Sequence, residues 1–170
     1  MLKRRLQMRL APAMLWANCA IVASGTTIQV PADQPTIKAG IDAASQGDTV
    51  LVAPGTYTGD GNRDLDFGGT DLVLISEEGA EATVIDCEGS RTDYHRGFEF
   101  HTGESEAAVV EGFTIRGGYV GGSDNGGGGI RCDLGSPTLR DCIITENSAK
   151  VCGGIYCGSG TAPAIQSCNI

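Results

Sequence analysis

The feature that most constrains this 170-residue chain is an internal repeat in its last third. Residues 126–144 read GGGGIRCDLGSPTLRDCII, and residues 153–170 read GGIYCGSGTAPAIQSCNI, with Ile130 and Ile155 lying 25 positions apart. Self-similarity at a period of about 20 to 50 residues is the signature of a solenoid. Such repeats stack because one repeat cannot bury its apolar face without a neighbour that carries the same pattern.

Apolar pairs two residues apart predict which strands stack, because residues i and i+2 of a strand share one face. One predicted column recurs at steps of 22, 26, 32 and 25 residues and consists of Val50/Val52, Leu72/Leu74, Phe98/Phe100, Ile130/Cys132 and Ile155/Cys157. A second recurs at steps of 29 and 26 residues and consists of Phe113/Ile115, Cys142/Ile144 and Cys168/Ile170.

The content of the repeats favours one kind of solenoid. A leucine-rich repeat needs a leucine consensus, but residues 126–170 contain only Leu134 and Leu139. A left-handed β-helix needs a six-residue period, which is absent. The sequence therefore predicts an all-β fold, a right-handed parallel β-helix in which equivalent residues of successive coils lie about 4.8 Å apart.

The segment before the repeats has a helical pattern instead. Ile37, Ile41 and Ala44 recur at helical spacing behind Pro35, which predicts a short amphipathic helix. The β-branched run 49–52 that follows reads as a strand. We expect an N-terminal cap at about residues 28–48, with Ile37 and Ile41 buried over the first coil, and stacked coils from about residue 49 to the end.

Residues 1–24 have the features of a secretory signal peptide: the basic start MLKRRLQMR, an apolar run at 10–22 and small residues after it. The apolar run is shorter than the roughly 20 residues of a membrane span. The mature domain is then residues 25–170, and the predicted location is secreted, periplasmic or cell surface. Removing the four basic residues of this segment changes the net charge from −9 to −13, which disfavours nucleic acid and anionic membranes as partners.

The mature region contains six cysteines: Cys87, Cys132, Cys142, Cys152, Cys157 and Cys168. No C-x-x-C spacing occurs, so a zinc site is not expected. Cysteines stacked on adjacent parallel strands keep their Cβ atoms about 4.8 Å apart, whereas a disulfide needs about 3.8 Å. We therefore expect reduced cysteines that act as small apolar core residues, although Cys87 and Cys152 lie in turns and could pair elsewhere.

Several segments resemble known β-helix proteins. PTIKAGIDAASQGDTVLVAPGTYTG resembles the N-terminal cap and first coil of the pectin-lyase-like right-handed β-helix proteins, a set that includes pectin methylesterases. LISEEGAEATVIDCEGS, EGFTIRGGY and SPTLRDCIITENSA resemble secreted bacterial right-handed β-helix repeat proteins. The resemblance covers residues 28–170 and implies the fold. It does not imply one activity, because the superfamily includes lyases, hydrolases, esterases and adhesins.

Two groups of residues are candidate sites. Asp60, Asn62, Asp64 and Asp66 alternate like the start of a calcium loop, although Leu65 stands where an EF-hand has glycine. Residues 64–69 also depart at most positions from the aspartate-containing motif of pectin methylesterases. Calcium is thus the one cofactor that the sequence suggests.

The remaining charges read as surface pairs. The columns place Glu99 beside Arg131 and Tyr156, and Glu111 beside Arg140 and Gln166, which predicts outward rows of ordinary cross-strand pairs. His95 and His101 read as surface residues, since no third metal ligand accompanies them.

The expected function is a secreted, non-catalytic β-helix that presents its sheets to a glycan or a cell-surface component. Tyr119 and Tyr156 are the aromatic residues placed for stacking on a sugar. The alternative is the N-terminal part of a polysaccharide lyase, glycoside hydrolase or pectin esterase-like enzyme, with no recognisable catalytic residues here. Because Ile170 falls inside a predicted strand, we expect the C-terminal end to be uncapped, as in a fragment, and further coils or another chain to cover it.

Overall fold

The computed structural model describes residues 25–122 and 126–170, which form a parallel β-solenoid of about four turns. The predicted signal peptide and residues 123–125 lie outside the described residues. One helix lies near the N-terminus, α1 (Ile37–Ala43). The strands are β1 (Thr27–Val30), β2 (Thr49–Val52), β3 (Gly55–Tyr57), β4 (Val73–Ser76), β5 (Thr83–Asp86), β6 (Phe98–Phe100), β7 (Val109–Glu111), β8 (Thr114–Arg116), β9 (Tyr119–Val120), β10 (Ile130–Cys132), β11 (Thr138–Arg140), β12 (Ile143–Ile144), β13 (Ser148–Ala149), β14 (Ile155–Cys157) and β15 (Ala164–Gln166).

These strands stack into parallel sheets that run along the solenoid. The first sheet has the order β1-β2-β4-β7-β11-β15, and the second has the order β3-β5-β8-β12. The third sheet consists of β6, β10 and β14, and β9 pairs with β13 in a short fourth sheet. The predicted fold class, an all-β parallel β-helix with one short N-terminal helix, is confirmed.

The register confirms part of the predicted columns and corrects the rest. Ile130 lies opposite both Phe98 and Ile155, as predicted, and Ile115 lies opposite Ile144. The early part of the first column is wrong, because Val50 lies opposite Leu74 rather than Leu72. The first predicted column also combined β2 and β4, which belong to the first sheet, with strands of the third sheet. The sheets share the same two-residue alternation, so the pattern does not tell one face of the solenoid from another.

The cap is built as the sequence predicts, with one addition. Thr36 is the N-cap of α1, and its hydroxyl accepts a hydrogen bond from the amide of Ala39 at 3.2 Å. Ile37 and Ile41 are buried. A Cβ on Gly40 would lie within 3.0 Å of side-chain carbons of two inward-facing valines of β1 and β2, so the helix rests directly on the first coil. The addition is β1, which precedes the helix and pairs with β2.

The interior of the solenoid is filled by apolar side chains of successive coils. Phe67 packs edge-on against Phe100, with ring centroids 5.2 Å apart, and Phe98 stacks on Phe100 at 5.9 Å. Three of the cysteines, Cys87, Cys132 and Cys142, are buried in the same core. Within residues 25–122 and 126–170, no helix is long and apolar enough to cross a bilayer.

One carboxylate is buried beside this core. Glu104 is only 2% exposed, and its side chain accepts hydrogen bonds from the amides of Gly69 at 2.9 Å and Thr102 at 3.1 Å. A Cβ added to Gly135 would lie 2.5 Å from Oε2 of Glu104, so the next coil also closes directly onto the carboxylate. Glu104 therefore connects the turns of three successive coils. Glu104 was not among the residues predicted from the sequence.

Candidate functional site

The outward face of the third sheet carries the predicted row of Glu99, Arg131 and Tyr156, in register. Arg131 lies 3.8 Å from Glu99 and 2.7 Å from Asp133, and its guanidinium lies over the ring of Tyr156 at 5.9 Å from the centroid. The face of Tyr156 towards Arg131 is therefore occupied.

The first and second sheets repeat this arrangement. Arg140 contacts Glu111 at 2.7 Å and donates a hydrogen bond to the side-chain oxygen of Gln166 at 3.2 Å, as the sequence predicts. Arg116 of the second sheet lies 3.1 Å from Asp86. Exposed pairs of this kind stabilise a protein by about 0.2–1 kcal/mol each. These carboxylates therefore have a structural role, which is to pair with arginines of adjacent coils.

The four calcium candidates have separate partners. Asp60 pairs with Arg63 at 2.6 Å, and Asn62 accepts a hydrogen bond from the amide of Ile37 at 3.0 Å. Asp64 contacts His95, and Asp66 accepts a hydrogen bond from the amide of Gly68.

No group of three or more His, Cys, Asp or Glu that could hold a metal ion is found in the described ranges. Each of the four side chains contacts a different backbone or side-chain group of the solenoid. Calcium binding at this loop stays a prediction.

The richest cluster of chemical groups lies where the chain enters β6, and we call it the His95 corner: Asp60, Arg63, Asp64, Glu88, Asp93, Tyr94, His95 and Tyr119. One carboxylate oxygen of Asp64 lies 2.6 Å from Nδ1 of His95, and the other accepts a hydrogen bond from the amide of Arg96 at 2.9 Å. Nε2 of His95 lies 3.1 Å from Asp93 but is buried and lacks hydrogen-bond geometry. Through these contacts His95 connects the coil of Asp64 to its own coil. His101 is exposed and lies 3.8 Å from Asp66.

Arg63 forms the inner layer of this corner. Besides Asp60, its guanidinium contacts the carbonyl oxygen of Cys87 at 3.1 Å and lies 3.7 Å from Glu88. The hydrogen bond from Arg63 lowers the pKa of Asp60, which keeps this carboxylate ionised well into the acidic range. The corner thus has a cation inside and carboxylates outside.

Two tyrosines form the apolar part of the corner. The rings of Tyr94 and Tyr119 stack with centroids 6.1 Å apart and an interplanar angle of 30°, and Tyr94 is 48% exposed. The main chains of His95 and Tyr119 exchange hydrogen bonds at 3.1 and 2.9 Å, which holds the two rings side by side. Tyr119 was predicted from the sequence, whereas Tyr94 was not. Its place next to His95 was the available signal, and its proximity to Gly121 is visible only in the structure.

The cysteines are all free in the described residues, and the predicted stacking of Cys132 opposite Cys157 is confirmed. Burial raises the pKa of the Cys87 and Cys132 thiols to about 12 and that of Cys142 to about 11. Cys152 and Cys157 are exposed.

We expect iodoacetamide at neutral pH to alkylate Cys152 well before Cys87, Cys132 and Cys142. The thiolate is the reacting form, and burial both raises the thiol pKa and blocks access at the three core positions. Peptide mass spectrometry of the native protein, with the unfolded protein as control, measures the difference. Alkylation of Cys87 in the native protein as fast as Cys152 would contradict the buried arrangement.

No pocket is found in the part of the chain that the structure describes. Comparisons with family models, with curated proteins and with solved structures found no match for this chain.

Proposed function

We propose that this chain is a secreted, non-catalytic β-helix that binds a glycan or a cell-surface component through the His95 corner. The observation that carries the proposal is the stacked pair of Tyr94, which is 48% exposed, and Tyr119, which is partly buried. Tyrosine offers a flat apolar face and a polar hydroxyl, which suits the apolar and hydroxyl-bearing faces of a sugar ring. The secretory features of residues 1–24 support an extracellular role.

The ionisable groups of the surface support a non-catalytic role. Glycoside hydrolysis uses two carboxylates about 5–10 Å apart on either side of the scissile bond, and lyases need a base free to take a proton. Here Glu99 and Glu111 face arginines of neighbouring coils, and each ring nitrogen of His95 faces a carboxylate of the His95 corner. These groups stabilise the solenoid rather than converge on a substrate.

We expect the purified, exported chain to release no unsaturated or reducing ends from pectin, alginate or neutral polysaccharides, with or without calcium. The reason is the pairing of the outward carboxylates with arginines. The measurement is absorbance of unsaturated products together with a reducing-end assay. Activity that disappears in Glu99→Gln or Glu111→Gln would overturn the non-catalytic proposal in favour of a polysaccharide-acting enzyme.

Binding is tested by co-sedimentation with insoluble glycans and by titration with soluble oligosaccharides. Tyr94→Ala should weaken binding by about tenfold, because it removes one stacking face. Tyr156→Ala is the matched control, since that tyrosine lies on the third sheet beneath Arg131. Equal binding by the wild type and by Tyr94→Ala would show that the His95 corner is not the binding site.

A further inference from the structure

Two pairs of cysteines stack on adjacent coils towards the C-terminal end of the described solenoid. Cys132 lies directly opposite Cys157 in the parallel pairing of β10 with β14. Cys142 and Cys168 form the second pair, since the residues that directly follow them are joined by a parallel bridge. Cys132 and Cys142 are buried, whereas Cys157 is exposed and Cys168 is partly exposed. Each pair therefore extends from the core to a position that a small solute can reach.

The sulfur atoms of the second pair have the same surroundings, one coil apart. Each thiol lies close to the carbonyl oxygen two residues before it, at 3.1 Å for Cys142 and 3.3 Å for Cys168. Each also lies near a carbonyl oxygen of the preceding coil, that of Val110 at 3.7 Å and that of Leu139 at 3.6 Å. Val110 and Leu139 are themselves pairing partners on adjacent coils. The two sulfurs are therefore separated by about one strand spacing, which is about 4.8 Å.

This spacing suits a cation held between two thiolates. A disulfide needs Cβ atoms about 3.8 Å apart, so the stacked thiols cannot join without movement of the backbone. Taking about 2.3 Å, the zinc–thiolate length, for each metal–sulfur bond, a cation in line between two thiolates places the sulfurs about 4.6 Å apart. The described ranges contain no metal-binding group of three or more His, Cys, Asp or Glu, so a cation here would have two ligands.

We propose that each stacked pair, Cys132 with Cys157 and Cys142 with Cys168, binds one thiophilic two-coordinate cation of the Cu(I) type. Soft thiolate ligands select Cu(I), whereas Zn(II) takes four ligands in a tetrahedron. Binding forms two metal–sulfur bonds and releases two thiol protons to water, with no change of oxidation state. The bound unit carries one negative charge, which water can solvate at the outer sulfur.

The test is the transfer of Cu(I) from its coloured bicinchoninate complex to the reduced, exported chain under anaerobic conditions. The loss of absorbance of the complex measures the copper that the protein takes up. We expect one ion per stacked pair, with two sulfur neighbours around each copper in X-ray absorption spectra. Zn(II) offered to the same protein in competition with a colorimetric zinc chelator should stay with the chelator.

Substitutions at the outer cysteines test the two pairs separately. Cys157→Ser and Cys168→Ser should each lose one ion, and the double variant should lose both. The second bond of a pair is intramolecular, so its loss should weaken binding at that pair by about a hundredfold or more. Cys152→Ser is the matched control, because Cys152 is exposed and belongs to neither pair. Circular dichroism shows whether each variant is folded.

Copper taken up equally by the wild type and by the double variant would overturn the proposal, as would no transfer to the folded, reduced protein. Three or more sulfur neighbours, or a loss in Cys152→Ser equal to that in Cys157→Ser, would show a different set of ligands and overturn the two-coordinate geometry. A single ion that only one of the two outer variants removes would overturn the site at the other pair.

Discussion

Replacing Ile41 with aspartate should lower the free energy of unfolding by at least about 3 kcal/mol. Ile41 is 4% exposed and lies in the helix that rests on the inward valines of the first coil. The substitution removes buried apolar surface and places a carboxylate in the apolar core beneath the helix. Chemical denaturation followed by circular dichroism measures the loss.

The matched control is Ala43→Asp, which introduces the same charge in the same helix at an exposed position. An acid in the last turn opposes the helix dipole, so a small loss of about 0.3–1 kcal/mol is expected there. If Ile41→Asp unfolded at the same denaturant concentration as Ala43→Asp, the helix would not be a cap over the core.

Replacing Glu104 with alanine should destabilise the protein by about 3 kcal/mol or more. The substitution leaves the amides of Gly69 and Thr102 without their acceptor and opens a cavity next to the turn at Gly135. Glu104→Gln keeps the volume but presents an amide NH₂ to one of the two donors, so it should also be destabilising, by a smaller amount. Thermal and urea unfolding of the three proteins gives the order.

Glu106→Ala serves as the control for Glu104, because the side chain of Glu106 is exposed two positions away. A wild-type melting temperature in Glu104→Ala would mean that water satisfies the two amides, and the role of the carboxylate as a link between coils would be wrong. An equal loss of stability in Glu104→Ala and Glu106→Ala would show that the turn as a whole is sensitive to substitution, and that the buried carboxylate has no special role.

The repeats that share a motif could be aligned from the sequence because their spacing and residue types agree. Ile130 and Cys132 recur as Ile155 and Cys157, each pair directly after glycines, and the observed register matches. The sequence predicted Leu72 opposite Val50 because each of them begins a pair of apolar residues that are two positions apart. The strand in fact begins at Val73, and Leu74 is the partner of Val50. Alternation alone cannot choose between two such registers or between sheets.

The candidate site was less accessible from the sequence than the fold. Asp64 and His95 are 31 residues apart and lie in turns, which carry no repeating pattern. Their contact depends on the isolated bridge between Leu65 and Phe98, which brings the two turns together. The repeating apolar pairs predict neighbours only for residues within aligned strands. Glu104 was missed for the same reason, since its partners are backbone amides of turns.

The order of the first sheet has a consequence for how the protein assembles. Its strands follow one another in chain order from β1 to β15, and each pairs with a strand made 22 to 36 residues earlier. Contact order therefore stays low for a parallel β-protein, and the entropy of closing each loop is nearly constant as the solenoid grows. We expect the capped first coil to become stable once the second coil has paired with it, because one coil alone cannot bury its apolar face. Each later coil then pairs with a strand that is already in place.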